Sequence, residues 1–186
     1  MPSSSAKPQR RRSDAERNRD RILVAAREAL ADRAAEVSMA EVARRAGVGM
    51  ATLYRNFPGR RELLEALYAE EVDKLCKAAG QVSGSPGDAL IAWLRLFAVF
   101  HHSKHPIAAE LLRHTDAADA VFGSSRDRVL AAGRPLLVAA QQAHEVRADL
   151  GLDQVLDLVL AAATIRGEPA YVEPILQAAL VGLRRW

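Results

Sequence analysis

Apolar residues recur along this chain every three or four positions, the spacing that places them on one face of an α-helix. The first such run predicts a helix over residues 13–31 and comprises Ile22, Ala26, Ala29 and Leu30. Alternating apolar and polar residues, which would indicate strands, are scarce. Aromatic residues make up only 5% of the chain, so the core must be built mostly from Ala, Leu and Val. These features predict an all-α protein.

Residues 38–47 predict a short helix with well-defined ends. Ser38 and Glu41 have the N-cap and N3 spacing of a capping box, in which each side chain accepts a hydrogen bond from the backbone N–H of the other residue. The helix should therefore begin at Met39. Gly47 can adopt the left-handed conformation that commonly ends a helix, so the chain should turn there.

A second short helix should follow from Gly49. Leu53 and Phe57 are four positions apart and face inward together, which leaves the polar side chains between them on the outer surface. Two short helices separated by a glycine turn are the layout of a helix-turn-helix, a motif whose second helix enters the major groove of DNA. Residues 38–57 are therefore predicted to contact DNA.

The remaining apolar runs predict helices over residues 60–79, 86–101, 106–113, 125–144, 153–165 and 172–185. Pro86 and Pro106 suit the first helical turn, and Pro174 is expected in the first turn of the last helix. Pro135 lies inside a run and should bend or break its helix. Residues 1–12 have no apolar pattern and are expected to form a disordered basic tail, which either reaches DNA or only aids solubility.

Positive charge is concentrated at the N-terminal end, although the net charge is only +3. Residues 1–60 carry 13 Lys and Arg against 7 Asp and Glu, whereas the rest of the chain carries 13 against 16. This polarity suits a protein that meets phosphates at one end. The apolar runs are too short for a membrane span, no secretory signal is visible, and the single Cys76 excludes an internal disulfide, so a cytoplasmic location is expected.

Specific residues in this N-terminal region resemble the TetR/AcrR family of transcriptional regulators. The matching residues are Ile22, Leu23, Ala25, Ala26, Ser38, Val42, Ala43, Ala46, Gly47, Val48, residues 51–60, Leu63 and Leu64. The run TLYRNFP at residues 52–58 is the most specific part of this match, which covers about the first third of the chain. Gly49, Ala51 and Asn56 depart from the residues that are usual in the family, which puts base preference in doubt and leaves docking intact.

The resemblance implies a three-helix DNA-binding domain over residues 13–59, a linker helix over residues 60–79, and a helical ligand-binding and dimerisation domain over residues 80–186. Family members act as homodimers on palindromic operators, commonly as repressors that a small molecule releases from DNA. They dimerise through their last two helices, here about 153–165 and 172–185. These two helices are too apolar to be packed on one side only, which supports a homodimer or, alternatively, two deeply buried core helices in a monomer.

The resemblance also implies phosphate contacts from Thr52, Tyr54 and Arg60, with Ser38 at a helix start that faces a phosphate. Hydroxyl groups and a guanidinium are good phosphate donors, and such contacts position a protein without reading sequence. The residues expected to reach base edges are Met50, Ala51, Arg55 and Asn56.

The expected pocket for the small molecule is concave and apolar, with few polar groups. Its candidate lining residues are Trp93, Phe97, Phe100, His101, Leu112, Phe122, Leu137 and Gln141, with His144 as a second polar candidate. An aromatic row at helical spacing is also typical of an ordinary core, which is the alternative for each of these side chains.

Metal binding and catalysis are not expected. His101 and His105 are four positions apart beside His102, but no carboxylate falls at a ligand spacing and Cys76 is distant, so neither a metal nor another cofactor is expected. The chain contains no P-loop, dinucleotide fingerprint, nucleophile elbow or zinc-protease motif, which argues against an enzyme. A protein-interaction module that retains the helix-turn-helix without binding DNA is a further alternative.

Overall fold

The computed structural model describes the backbone of residues 6–31, 38–114 and 118–185, and the side chains of residues 14–30, 38–101, 107–108, 110–112 and 121–185. Eight α-helices lie in these ranges: α1 (Ala6–Ala31), α2 (Met39–Ala46), α3 (Met50–Asn56), α4 (Arg60–Ala79), α5 (Pro86–His114), α6 (Ala118–Gln142), α7 (Leu152–Ala163) and α8 (Pro169–Val181). An isolated β-bridge also joins Val146 to Arg184. The prediction of an all-α fold is confirmed.

The described residues form two compact units. The first comprises the residues up to Tyr68 together with residues 106–114, and the second comprises residues 69–105 and those from 118 onward. Helix α4 begins in the first unit and ends in the second, whereas α5 begins in the second unit and ends in the first. Two helices therefore belong to both units. A separate finding is that no described helix is both long and apolar enough to cross a membrane.

The first unit packs α1 against both short helices, α2 and α3. Its core contains the inward faces that the sequence predicts for these helices, together with apolar residues from the start of α4 and the end of α5. The buried side chains are Ile22, Leu23, Ala25, Ala26, Ala29, Val42, Ala43, Ala46, Leu53, Phe57, Leu63, Leu64, Leu67, Tyr68, Ile107 and Leu111.

Trp93 is the largest buried side chain of the second unit. Its indole N–H donates a hydrogen bond to the carbonyl of Leu75 (3.1 Å), so the polar atom of this buried ring has a partner. The ring packs against the backbone of α6 at Gly133, where a Cβ atom would collide with Trp93 and lie 3.2 Å from Leu152 Cδ2. Gly133 therefore permits the close approach of α5 and α6.

The carboxylate of Glu145 joins distant parts of the second unit. It accepts hydrogen bonds from the Ser85 hydroxyl (2.6 Å) and the Gly87 N–H (2.7 Å) at the start of α5. The backbone carbonyl of Glu145 accepts from the N–H of Arg185, and the N–H of Arg147 donates to the carbonyl of Leu183. The loop after α6 is thereby tied to the start of α5 and to the end of the chain.

Helices α2, α3 and α4 begin and end where the sequence predicts, but α1 and α6 begin earlier. Helix α1 starts at Ala6, inside the predicted disordered tail, and residues 1–5 lie outside the described residues. Lys, Arg and Gln are good helix formers, and Pro8 falls in the first turn, where its missing N–H has no helical partner to lose. Helix α6 starts at Ala118 and runs through Gly123 and Pro135 as one helix, so neither residue breaks it.

Two prolines led to wrong helix starts in the sequence prediction. Pro106 does not begin a new helix, because α5 is continuous from Pro86 to His114. Pro174 is not in the first turn of the last helix, because α8 begins one turn earlier at Pro169. The fixed φ angle of proline suits the first turn of a helix. Pro169 and Pro174 both satisfy this criterion in the sequence, and the helix begins at the earlier of the two.

The contact between Trp93 and Gly133 predicts opposite effects for two alanine substitutions in α6. Gly133→Ala should lower the free energy of unfolding by about 1–3 kcal/mol, because the new methyl group overpacks the core. Gly123→Ala, at an exposed position with open space around it, should raise it by roughly 0.5–1 kcal/mol through helix propensity. Urea denaturation of both variants and the wild type measures the difference, and equal effects would contradict this packing.

Candidate nucleic-acid interface

The turn between α2 and α3 has the cap geometry that the sequence predicts. The hydroxyl of Ser38 accepts a hydrogen bond from the N–H of Glu41 (3.1 Å) at the start of α2. Gly47 has φ +61°, in the left-handed region, and ends the helix. A guanidinium nitrogen of Arg21 in α1 donates to the Gly47 carbonyl (3.2 Å), so α1 also supports the turn.

The second half of the predicted capping box is replaced by ion pairs. The carboxylate of Glu41 accepts hydrogen bonds from Arg44 (2.7 and 2.8 Å) and from Arg45 (2.7 Å). These bonds, first from Arg44 and then from Arg45, lower the pKa of Glu41 to about 2. Arg44 and Arg45 therefore lie on an exposed face whose positive charge is partly neutralised by their own helix.

Helix α3 separates a buried side from an exposed side. Leu53 and Phe57 are buried, and the guanidinium of Arg19 lies 4.5 Å from the centroid of the Phe57 ring. Met50 and Tyr54 expose 39% and 46% of their surfaces, and Ala51 and Arg55 are exposed beside them. Because residues 50, 51, 54 and 55 share one helical face, the structure brings four of the predicted DNA-binding residues together.

Two polar side chains of α3 bind their own helix. Arg55 donates to the carbonyl of Ala51 (3.1 Å) and to the hydroxyl of Thr52 (3.0 Å). The amide of Asn56 donates to the carbonyl of Thr52 (2.8 Å). Thr52 and Asn56 are half-buried at the edge of the exposed face. These bonds fix the direction of the Arg55 and Asn56 side chains before any partner arrives.

Arg60, the remaining predicted phosphate ligand, is held in an ion pair within the first unit. It is the first residue of α4, and one guanidinium nitrogen lies 2.6 Å from the Glu110 carboxylate near the end of α5. The side chains of Arg60 and Glu110 are only 22% and 11% exposed. Sequence reasoning missed Glu110, because a carboxylate fifty positions away carries no local signal.

Four of the predicted effector-binding residues form a row along α5. Trp93, Phe97 and Phe100 follow one another with ring centroids 6.3 Å apart, and His101 contacts both Phe97 (4.5 Å) and Phe100 (5.3 Å) edge to face. Trp93, Phe97 and Phe100 are buried, whereas His101 is half-buried. The row therefore runs from the core of the second unit toward its surface.

The other predicted effector-binding residues have different surroundings. Leu137 is buried and Phe122 is half-buried, both in the second unit. The Gln141 amide donates to the carbonyls of Arg147 (3.2 Å) and Leu150 (3.0 Å), and a guanidinium nitrogen of Arg185 lies 3.4 Å from Nδ1 of His144. Leu112 belongs to the first unit and is 60% exposed. A role for Leu112 in effector binding stays a prediction.

The second unit also contains an open groove of about 340 Å³ that sequence reasoning did not predict. It is mostly apolar, and its lining residues are Ala98, Val99, Ala163, Gly167, Pro169, Val172, Glu173 and Leu176. None of the predicted effector-binding residues lines it. Among the described side chains, no three His, Cys, Asp or Glu residues come together in a way that could hold a metal ion; those of His102 and His105 lie outside the described part.

A capped helix-turn-helix with an exposed second helix, in a chain that also contains a second helical unit, is typical of one-component transcriptional regulators. Residues 22–67 match the model of the bacterial regulatory proteins of the tetR family, and residues 85–185 match that of the SbtR-like transcriptional regulator C-terminal domain. The chain belongs to the TetR family of transcriptional regulators.

Solved structures agree with this assignment. The TetR transcriptional regulator SCO0520 from Streptomyces coelicolor is 35% identical, with a TM-score of 0.73 over 89% of this chain and 98% of that one. A TetR regulatory protein from Mycobacterium vanbaalenii is 30% identical, with a TM-score of 0.76 over 94% of this chain and 99% of that one. No curated protein matches the chain significantly.

The backbone of the turn predicts that one substitution has different effects at two neighbouring glycines. Gly47→Ser should lower the free energy of unfolding by about 1–2 kcal/mol, because a side chain is unfavourable in the left-handed region. Gly49→Ser should cause no loss, because Gly49 has φ −70°, has no atom within 4 Å of a new Cβ, and caps α3, where serine is favoured. Chemical denaturation compares the two, and a similar loss for both would contradict the turn geometry.

Proposed function

We propose that the protein is a repressor that binds a palindromic DNA operator as a homodimer. Each copy places residues 49–57 in a major groove, and the two recognition helices lie about 34–36 Å apart, one turn of DNA. The observation that carries the proposal is the division of α3 into a buried side, Leu53 and Phe57, and an exposed side that contains Met50 and Tyr54. This arrangement presents side chains to a groove from a rigidly held helix.

The hydroxyl groups of Ser38, Thr52 and Tyr54 serve as phosphate donors in this proposal. Thr52 accepts a hydrogen bond from Arg55, which leaves its own proton available for a phosphate oxygen. Met50 and Ala51 offer apolar contact to thymine methyl groups, and Arg55 and Asn56 offer donors to base edges. Arg60 serves as a further phosphate ligand once it is released from Glu110.

Two substitutions of Tyr54 should separate its ring from its hydroxyl. Tyr54→Ala should abolish retention of a duplex that the wild-type protein selects from a random-sequence pool. Tyr54→Phe should weaken binding by roughly tenfold, because a hydrogen bond to a charged oxygen is worth about 1.5–3 kcal/mol and part of this is recovered by water. Gel shifts at several salt concentrations measure both effects.

The control is Ser124→Ala, which removes an exposed hydroxyl of α6 outside the proposed DNA-binding and dimer surfaces and should leave affinity unchanged. Normal binding by Tyr54→Ala would show that α3 does not dock as proposed. Absence of salt-dependent binding to every duplex would favour a protein-interaction module, because phosphate contacts release counterions and weaken as salt rises.

The dimer contact in this proposal is formed by α7 and α8. Besides their buried residues, both helices and the short segment after α7 expose apolar or small side chains, which include Leu158, Ala161, Ile165, Tyr171, Pro174 and Ala178. Two such helices from each copy can cover these surfaces as a four-helix bundle. A symmetric dimer also supplies the two recognition helices that a palindrome requires.

Leu158→Glu should convert the dimer to a monomer, because it places a charge in an apolar contact between copies. Val138→Glu makes the same change at an exposed valine of α6, outside the last two helices, and should leave the dimer intact. Sedimentation at micromolar concentration gives the mass of each species. A wild-type protein with the mass of a single chain would rule out the dimer.

A small molecule bound in the second unit regulates DNA binding in this proposal. The aromatic row of α5, which ends at the half-buried His101, supports an apolar and partly aromatic effector. Effector binding changes the position of α4, which begins directly after the helix-turn-helix, and so the spacing of the two recognition helices. Because the two sites are linked, operator DNA weakens effector binding by the same factor.

A further inference from the structure

Two arginines begin α4, and each is bound by a carboxylate. Arg61 pairs with Glu65 of the same helix (Nε to Oε1, 2.7 Å) on an exposed surface. Arg60 pairs with Glu110 of α5 (Nη2 to Oε1, 2.6 Å) in a much more buried position. The N-terminus of a helix carries a partial positive charge, so two adjacent cations there are unfavourable unless an anion is close. In the free protein Glu110 supplies that anion for Arg60.

The hydrogen-bonding groups of the Arg60 side chain are only partly paired in its half-buried position. Its Nε atom is buried and has no hydrogen-bond partner among the described residues. Its side chain lies among Val42, Leu63 and Leu67, beside a cavity of only about 10 Å³, which has space for at most one water molecule. Burying a charged group next to apolar side chains costs free energy, and so does leaving a buried nitrogen without a hydrogen bond. The Arg60–Glu110 pair therefore stabilises the protein little, and another anion can replace Glu110.

We propose that Glu110 competes with a DNA phosphate for Arg60 and thereby limits the affinity of the protein for DNA. The inference rests on the proposed function, in which Arg60 is a phosphate ligand. Carboxylate and phosphate oxygens bind the same planar set of guanidinium donors, so Arg60 exchanges one partner for the other. The displaced Glu110 carboxylate also repels the incoming phosphate.

The position of Glu110 in the chain connects this exchange to the second unit. Residues 86–105 of α5 belong to the second unit, and Glu110 lies on the part of the same helix that belongs to the first. A displacement of α5 changes how firmly Glu110 holds Arg60. The state of the second unit therefore adjusts DNA affinity through one ion pair, in addition to the spacing of the two recognition helices.

The test removes the carboxylate and keeps the side-chain shape. Glu110→Gln should bind the duplex selected by the wild-type protein roughly tenfold more tightly, with the slope of log affinity against log salt steeper by about 0.9 for each phosphate that Arg60 neutralises. Glu65→Gln removes the same charge from the partner of Arg61 and should change affinity less than about threefold, because exposed pairs are weak. Gel shifts measure both, and thermal denaturation confirms that each variant folds.

An Arg60→Gln background distinguishes competition from a general charge effect. Arg60→Gln and the Arg60→Gln, Glu110→Gln double variant should bind equally, because the gain requires Arg60. A gain that persists without Arg60, or weaker or unchanged binding by Glu110→Gln, would overturn the competition. Should Glu110→Gln fail to fold, Glu110→Asp keeps the charge but shortens the side chain, and an unchanged affinity and salt slope for it would likewise overturn the proposal.

A mixed-sequence duplex serves as a second probe, because a phosphate contact does not depend on sequence. If the wild-type protein selects no particular duplex while Glu110→Gln gains Arg60-dependent affinity for the mixed sequence, operator recognition fails and the competition holds. If neither protein binds either duplex, both the proposed function and the competition are wrong.

Discussion

The burial of α2 and α3 against α1 is the interaction on which the rest of the first unit depends. These helices have eight and seven residues, which is too short for a helix to be stable alone in water. Their inner faces are held by burial of Val42, Leu53 and Phe57, and the turn between them is held by the Arg21 contact to the Gly47 carbonyl. Because the inner face of α3 is fixed in this way, its outer face is fixed as well.

The second unit is held together by close packing between helices and by hydrogen bonds between distant parts of the chain. Two of its helices, α5 and α6, approach each other closely where a residue without a side chain permits it, at Gly133 beneath the Trp93 ring. The buried Trp93 N–H donates to the Leu75 carbonyl, and the half-buried Glu145 carboxylate accepts hydrogen bonds from the start of α5. Apolar side chains remain exposed on α7 and α8, where a second copy is proposed to cover them.

The positive charge of the N-terminal end is not all available to a partner. Arg44 and Arg45 share the carboxylate of Glu41, Arg55 binds its own helix, and Arg60 binds Glu110. Neutral hydroxyl groups and small apolar side chains thus form much of the exposed α3 face. In the proposed competition, DNA affinity depends on how readily Arg60 exchanges an internal partner for a phosphate, and this exchange is a property of the folded chain rather than of its net charge.

The sequence alone was sufficient to predict the elements whose signals are local. Ser38, Gly47 and the spacing of Leu53 and Phe57 predict the helix-turn-helix, because caps and turns depend on a few neighbouring residues. Helix starts at Pro106 and Pro174 were predicted wrongly, because a proline suits a first turn equally well at several positions and only packing along the whole helix decides between them.

Tertiary structure alone decided which distant residues meet. Nothing near Arg60 in the sequence indicates Glu110, and nothing near Gly133 indicates Trp93, because these contacts form between helices whose separation along the chain is unrelated to their distance in space. The sequence thus determined the frame of the helix-turn-helix and the family of the protein. The folded chain determined which of its charged side chains are exposed and which are already bound.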